Sequence, residues 1–284
     1  MSQITIRLVD TPADMARVEQ LQAAVWSGAD HEVVPTHTLL AAAHNGGLVA
    51  GAFDGDRCVG FVWGFLGFDA RTTPPRLKHC SHQLGIHPDY RQVGLGFALK
   101  RRQWGFVRQQ GIDLITWTYD PLLARNARLN IGKLGAVCNT HRRDEYGPLH
   151  DTMNAGLPTD RFQVDWWLSS DRVTARMLGP QPAAPRLADM LAAGAHLLNP
   201  RAASGAAQPP GPDLAAGLPA VVLIEIPSDF LALKMEDAAA GLAWRLGTRA
   251  AFEALFGRGY VVTDFVRDQD RALYVLTQET QDAH

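Results

Sequence analysis

The sequence predicts an α/β fold in which a mixed sheet is flanked by helices and followed by a C-terminal βαββ extension. Three features carry that expectation. Apolar runs with strand alternation interleave with helical patterns through the first 170 residues. Asp54-Gly55-Asp56-Arg57 makes a hairpin signal between two such runs. A strand, a glycine-rich turn, a helix and another strand follow one another between Leu77 and Tyr119, a crossover unit whose two strands should run parallel.

In chain order, Ile4 to Asp10 alternates as a half-buried strand does, and Thr11-Pro12 supplies a helix cap and a first-turn proline ahead of Met15, Val18, Leu21 and Val25. Trp26 to Pro35 reads as a loop, and the short helix after it stops at Asn45-Gly46-Gly47. LVAGAF and CVGFVWGFLGF are the hairpin strands. Leu77 to Pro88 is the next strand, an Arg- and Gln-rich helix ends at Gly111, and Ile112 to Tyr119 closes the crossover. Asp120-Pro121 ends that strand. LLARNARLNIGKLG is helical up to Gly135, and Arg161 to Ser169 alternates as a last strand, so the first domain spans 1–170. Residues 171–218 turn to Ala, Pro and Gly and read as a linker with one short helix between Arg186 and Leu198. Residues 219–284 regain order as a strand, a helix from Asp237 to Phe256 and two strands. That is too little chain for an independent core, so the tail should pack on the first domain or extend its sheet, or form a homodimer interface.

A hydrophobic content of 46% is ample for a core, and a net charge of -2 gives no basic footprint, so nucleic acid is not an expected partner. Cys58, Cys80 and Cys138 are odd in number and lie outside any C-x-x-C pattern, which argues against a disulfide framework and against a metal. The N-terminus has no charged segment followed by an apolar one, and no apolar run approaches ~18 residues, so a cytoplasmic protein without a membrane partner is expected.

The chemistry concentrates in IHPDYRQVGLGFALKRR, Ile86 to Arg102. Glycines at a helix mouth either make a plain turn or let a phosphate approach the unpaired amides and the positive end of the helix dipole. On the second reading Val93 to Phe97 are pyrophosphate ligands. A P-loop would need Gly-Lys-Ser/Thr where this chain has Gly96-Phe97-Ala98, and a dinucleotide fingerprint would follow the first strand and carry a third glycine.

LGIHPDYRQVGLGFALK, IDLITWTYDP and NARLNIGKLGA together resemble the acetyl-CoA-binding core of the GNAT superfamily of N-acyltransferases. Arg91 to Gly96 matches its R-x-x-G-x-G pyrophosphate loop, and Lys133 to Ala136 its K-x-G-[FA] ending. HCSHQLGIHPDYR, WTYDPLLARNARLN and GLPTDRFQVDWWL resemble a little-characterised branch of it. The resemblance covers Ile4 to Leu168. It implies an enzyme moving an acetyl group from acetyl-CoA to the primary amine of a small molecule or peptide. It implies that the amides of Gln92, Val93, Gly94, Leu95, Gly96 and Phe97, with Arg91, hold the pyrophosphate, and that Leu84, Gly85 and Ile86 bond the pantetheine arm like an added strand. Asn126 would be a further contact to the arm; the usual asparagine position falls on Ala124, and Asn126 and Asn130 share a face at i and i+4, so either could substitute.

Acyl transfer to an amine needs a base, a group to polarise the carbonyl and a proton donor for the thiolate. The family's tyrosine donor position falls here on Ile131. Either Tyr119 or water donates instead, or the chain is a non-catalytic acyl-CoA-binding module. His82 is the candidate base, with a reference pKa of about 6.5. Strand parity places it with Cys80, Leu84 and Ile86, and His79 on the opposite face, which disfavours a zinc pair. Asp120, at the carboxyl end of the crossover strand, is either a ligand-edge carboxylate or a turn residue before Pro121. Trp63, Trp117, Tyr119, Trp166 and Trp167 suit an acceptor pocket or a core, and Asp160 with Arg161 an ion pair or an acceptor-recognition element.

Overall fold

Thr11 Oγ1 accepts a hydrogen bond from the Asp14 amide at 3.3 Å, and Pro12 follows as the first helical residue, so the Thr-Pro pair starts α1 (Pro12–Val25) just after β1 (Thr5–Leu8). The structure, a computed structural model, describes residues 4–26, 33–91, 94–149, 155–211 and 214–278. It forms two compact units, one of Met1–Trp117 with Trp166–Met177, the other of Thr118–Asp165 with Leu178–His284.

In the first unit α2 (Thr36–His44) leads into β2 (Leu48–Asp54) and β3 (Arg57–Asp69), joined by the expected two-residue turn in which Gly55 takes φ +57°. β4 (Arg76–Ile86) lies antiparallel to β3, and β5 (Leu114–Tyr119) parallel to β4, giving the order β1-β2-β3-β4-β5. The crossover helix α3 (Leu95–Gln109) buries Leu95, Leu99, Gln103 and Val107 on one stripe with Lys100 and Trp104 beside it. Leu95 and Leu99 close a core with Ala50, Ala52, Val59 and Val62 of the hairpin. Trp104 Nε1 donates to the Leu168 carbonyl at 3.1 Å and fastens the segment ahead of α5 (Asp171–Leu178). The element order is the one the resemblance implies.

The second unit begins with α4 (Ala124–Ala127), continued as a π turn over Arg128–Lys133. β6 (Val137–Arg142), not anticipated from the sequence, pairs antiparallel with β7 (Arg161–Trp167). α6 (Leu187–Ala192), β8 (His196–Leu197), β9 (Val221–Ile226), α7 (Phe230–Glu236), α8 (Ala238–Phe256), β10 (Tyr260–Asp268) and β11 (Arg271–Gln278) follow. β10 pairs with β6 through Val262↔Cys138, so the C-terminal strands extend the sheet begun by β6 and β7. Two helices, not one, separate β9 from β10. Asp229 caps the first and Asp237 ends it while capping the second, and so divides what would otherwise be one helix.

The Ala/Pro/Gly-rich stretch is held. Asn199 Nδ2 donates to the carbonyls of Gln208 and Glu225, and Asn199 Oδ1 accepts from the Glu225 amide. The buried Glu225 carboxylate receives Arg201 Nε at 2.8 Å and Arg271 Nε at 3.1 Å. At the centre of this unit the fully buried Phe162 meets the rings of Tyr119, Phe252 and Tyr274 edge-on, with centroids 5.9, 4.6 and 5.4 Å away. Phe162→Ala is expected to destabilise the protein by about 3–5 kcal/mol, a loss measurable by urea unfolding; a change below ~1 kcal/mol would show that the cluster repacks freely.

Candidate active site

β3 and β4 do not keep one register. Trp63 pairs with Gln83 and Gly64 with Ser81, so His82 is an extra residue bulged out of the ladder. The bulge reverses the expected parity. His79 and Ser81 lie on the same side of the sheet as Leu84 and Ile86, because all four meet α3 or its core: Ser81 and His79 through Lys100 and Gln103, Leu84 and Ile86 through the cluster of Leu95 and Leu99. His82 turns instead to the rings of Trp63 and Phe65, at centroid distances of 4.8 and 6.0 Å, so its expected grouping with Leu84 and Ile86 is corrected. Partial desolvation against these rings holds its pKa below the ordinary histidine value, leaving it neutral and able to accept a proton at physiological pH.

The bulge coincides with a fork. β4 and β5 pair at His79↔Ile115 and Cys80↔Thr116, and their ladder ends there. Lys100 of α3 reaches the first residue beyond the last rung on each strand. Its Nζ donates to Ser81 Oγ at 2.9 Å and stands 3.5 Å from the centre of the Trp117 ring, with the Trp166 ring at 5.4 Å. A third contact, to Gln103 Oε1 at 3.0 Å, orients that amide so that Gln103 Nε2 faces His79 Nε2 at 3.1 Å. The contact makes His79 Nε2 the acceptor and puts its proton on Nδ1, which is buried with no hydrogen-bond partner among the described residues. Burial drives the His79 pKa down to about 3, with the nearby Lys100 charge adding to the effect. Burial also carries Lys100 well below the usual lysine range.

Past the fork, Leu84, Gly85 and Ile86 pair with Val62, Phe61 and Gly60, among the described residues on one edge only, and a Cβ on Gly85 would come within 2.4 Å of the Phe61 ring. The chain then turns through a 3₁₀ segment, Pro88–Tyr90, pinned by Tyr90 Oη donating to Asp54 at 2.7 Å and by His87 Nε2 against Arg57 at 2.8 Å. Arg91 Nε returns to the Ile86 carbonyl at 3.5 Å. Gln92 and Val93 lie outside the described residues. Gly94 caps α3 with φ +80° and open space where a Cβ would stand, and the first amides of the helix follow over Leu95, Gly96 and Phe97.

The remaining candidates belong to the second unit. Tyr119 is buried, its hydroxyl 3.1 Å from that of Tyr274, which itself donates to the Pro121 carbonyl; burial raises the Tyr119 pKa well above normal. Asp120 makes the turn, accepting from the Leu122 amide at 2.9 Å, and also takes both ends of the Arg245 guanidinium at 2.8 and 2.5 Å. Asp160 does not pair with the Arg161 side chain as its main partner: it takes Arg249 at 2.7 and 2.6 Å, and Arg161 donates to its backbone carbonyl. Asn126 is half-buried on α4 and Asn130 buried in the π turn. Among the described residues no group of His, Cys, Asp or Glu is placed to hold a metal, and no helix is long and apolar enough to cross a membrane.

No family model matches the sequence, and a search of curated proteins finds no match. Solved structures similar in fold include a Desulfovibrio desulfuricans protein assigned to the GNAT family of acetyltransferases, at 17% identity and TM-score 0.47 over 59% of this chain and 100% of that one. They also include the ribosomal-protein-S18-alanine N-acetyltransferase of Escherichia coli, at 16% identity and TM-score 0.46 over 59% and 96%. A third, from Salmonella typhimurium and solved with its cofactor acetyl-CoA, is 20% identical with TM-score 0.46 over 66% and 99%. These are likenesses of fold at low identity.

His79 generates a pH test. Its folded pKa lies below that of the unfolded chain, so the unfolded state binds the proton first, and stability is lost as pH falls from about 6.5 towards 3. The loss due to this one group is expected to approach ~1.4 kcal/mol per pH unit in that window, and unfolding curves of His79→Gln should lack that component. Identical pH dependence in the two proteins would contradict the assignment.

Proposed function

We propose that the protein is an N-acyltransferase that uses acetyl-CoA to acylate a primary amine of a small molecule or peptide. The observation that carries this reading is the sequence of one fork, one bulge and one left-handed glycine along a single stretch of chain, from Cys80 to Gly94. The donor set fits the cofactor: a helix mouth opened by Gly94 suits a pyrophosphate, and the β4 edge over Leu84, Gly85 and Ile86 suits an amide-bearing arm.

On this reading Arg91 and the amides from Gln92 to Phe97 hold the phosphates, and Gly94 is needed because a Cβ with φ +80° would be strained. Bound acetyl-CoA supplies an activated thioester. His82, neutral, exposed and set against the rings of Trp63 and Phe65, takes the proton from the acceptor nitrogen. Asp120 and Tyr119 serve the architecture of the second unit, since their polar atoms are engaged by Arg245, Leu122 and Tyr274.

Ile131, fully buried in the π turn, offers no proton where a tyrosine would stand, and this favours a second reading as a non-catalytic acyl-CoA-binding module. Calorimetry should detect acetyl-CoA binding, with Gly94→Val weakening it about tenfold, as expected for ~1–2 kcal/mol of left-handed strain; no heat at millimolar ligand removes both readings. In a thiol-release assay over a panel of amines, His82→Ala should lower turnover by about 10²–10⁴ without altering acetyl-CoA affinity. Binding with no release for any amine selects the module.

A further inference from the structure

We propose that Lys100 is the proton donor to the departing thiolate, its ammonium facing the CoA sulfur at the fork between β4 and β5. The inference rests on the acyl-transfer reading above and supplies the donor that Ile131 cannot be.

Position is the first argument. Nζ bridges Ser81 and Trp117, the residues immediately past the last paired rung on β4 and on β5, so it sits where the two strands begin to part. Valence is the second. Lys100 is 2% exposed, and its contacts are those of an ammonium: it donates to Ser81 Oγ and Gln103 Oε1 and lies over the face of Trp117, which leaves its third proton held by no acceptor atom among the described residues. Charge is the third. From β4 the groups that face it are Ser81 and His79, from α3 Gln103, from β5 Trp117, and from the segment at the end of β7 Trp166. The titratable one, His79, is uncharged through the physiological range. Among the described residues no carboxylate lies within ion-pair distance of Nζ.

A buried cation without a carboxylate is costly, and an apolar side chain on the buried stripe of α3 would avoid that cost. What the ammonium lacks is a counter-charge, and a thiolate arriving at the fork supplies one. The desolvation that lowers the lysine pKa also makes its ammonium a stronger acid, which favours proton transfer to a thiolate. In the step itself the acceptor nitrogen forms the new C–N bond, and the C–S bond breaks with its electron pair on sulfur. One Nζ proton passes to that sulfur and gives the free thiol. The proton shed by the acceptor nitrogen goes to His82 and then to solvent, from which Lys100 is recharged.

The test needs no acceptor. The thiol of CoA is titrated in its complex with the full-length protein by thiolate ultraviolet absorbance, with the desulfo-CoA complex as the blank. An ammonium beside the sulfur should lower the thiol midpoint by about one to three pH units relative to free CoA. Lys100→Met should restore the free value while binding CoA with similar affinity. A wild-type midpoint equal to that of free CoA overturns the proposal whether or not the variant folds, as does a lowered midpoint that Lys100→Met leaves unchanged. Failure of both CoA and desulfo-CoA to bind, seen by calorimetry on the same samples, would place the fault in the acyl-CoA reading itself.

Discussion

Between Gly64↔Ser81 and Trp63↔Gln83 the β3–β4 ladder passes from one register to the next, and the backbone of His82 has no partner across the step. A bulge increases the local twist of its strand and turns it out of plane, and the β4–β5 ladder stops within two residues of it. The fork, the side chain swung towards Trp63 and the polar contacts beneath the sheet follow from that one added residue. Gly64 is part of the same constraint: a Cβ there would lie 2.4 Å from the Cys80 carbonyl and from His79 Nε2, so no side chain can occupy the position opposite the step.

The second unit is built on a different principle. Asp120, Asp160 and Glu225 are all buried, and each is bound by arginine: Arg245 on the first, Arg249 on the second, Arg201 and Arg271 on the third. His141 lies between Asp160 and Glu253, at 3.6 and 3.5 Å, and Glu253 also takes Arg143. Buried charges held this way specify one arrangement more than they add stability, because breaking a pair strands its partner. They link the turn after β5, the residue before β7, and β6 to α8, and separately β9 to β11.

The elements were legible where local chemistry decides them: the Thr-Pro helix start, the Gly55 turn and the parallel crossover can each be read from a few adjacent residues. β6 was not, since VCNTHR is short and weakly patterned and owes its strand form to β7 and β10. Nor was α7, because its bounds are set by the side-chain caps of Asp229 and Asp237, which only the fold shows. The bulge at His82 is a register event between two strands, and period-two reading of one strand cannot reveal it. Lys100 was hidden for a related reason: an Arg- and Gln-rich helix reads as solvated, and only packing against Trp117 and Trp166 shows one of its cations to be inside. Asp120 was read for both its possibilities, and its arginine partner lies 125 positions away.

The Asn199 contacts with Gln208 and Glu225 close a loop at its base, and Arg201 secures it to β9. Because the anchoring groups sit at the ends of that loop, its interior is free to drift in length and composition: lengthening a closed loop twofold costs only about 0.6 kcal/mol. Residues 202–207, all Ala, Ser or Gly, are therefore where the chain can gain or lose residues without disturbing the strand beneath.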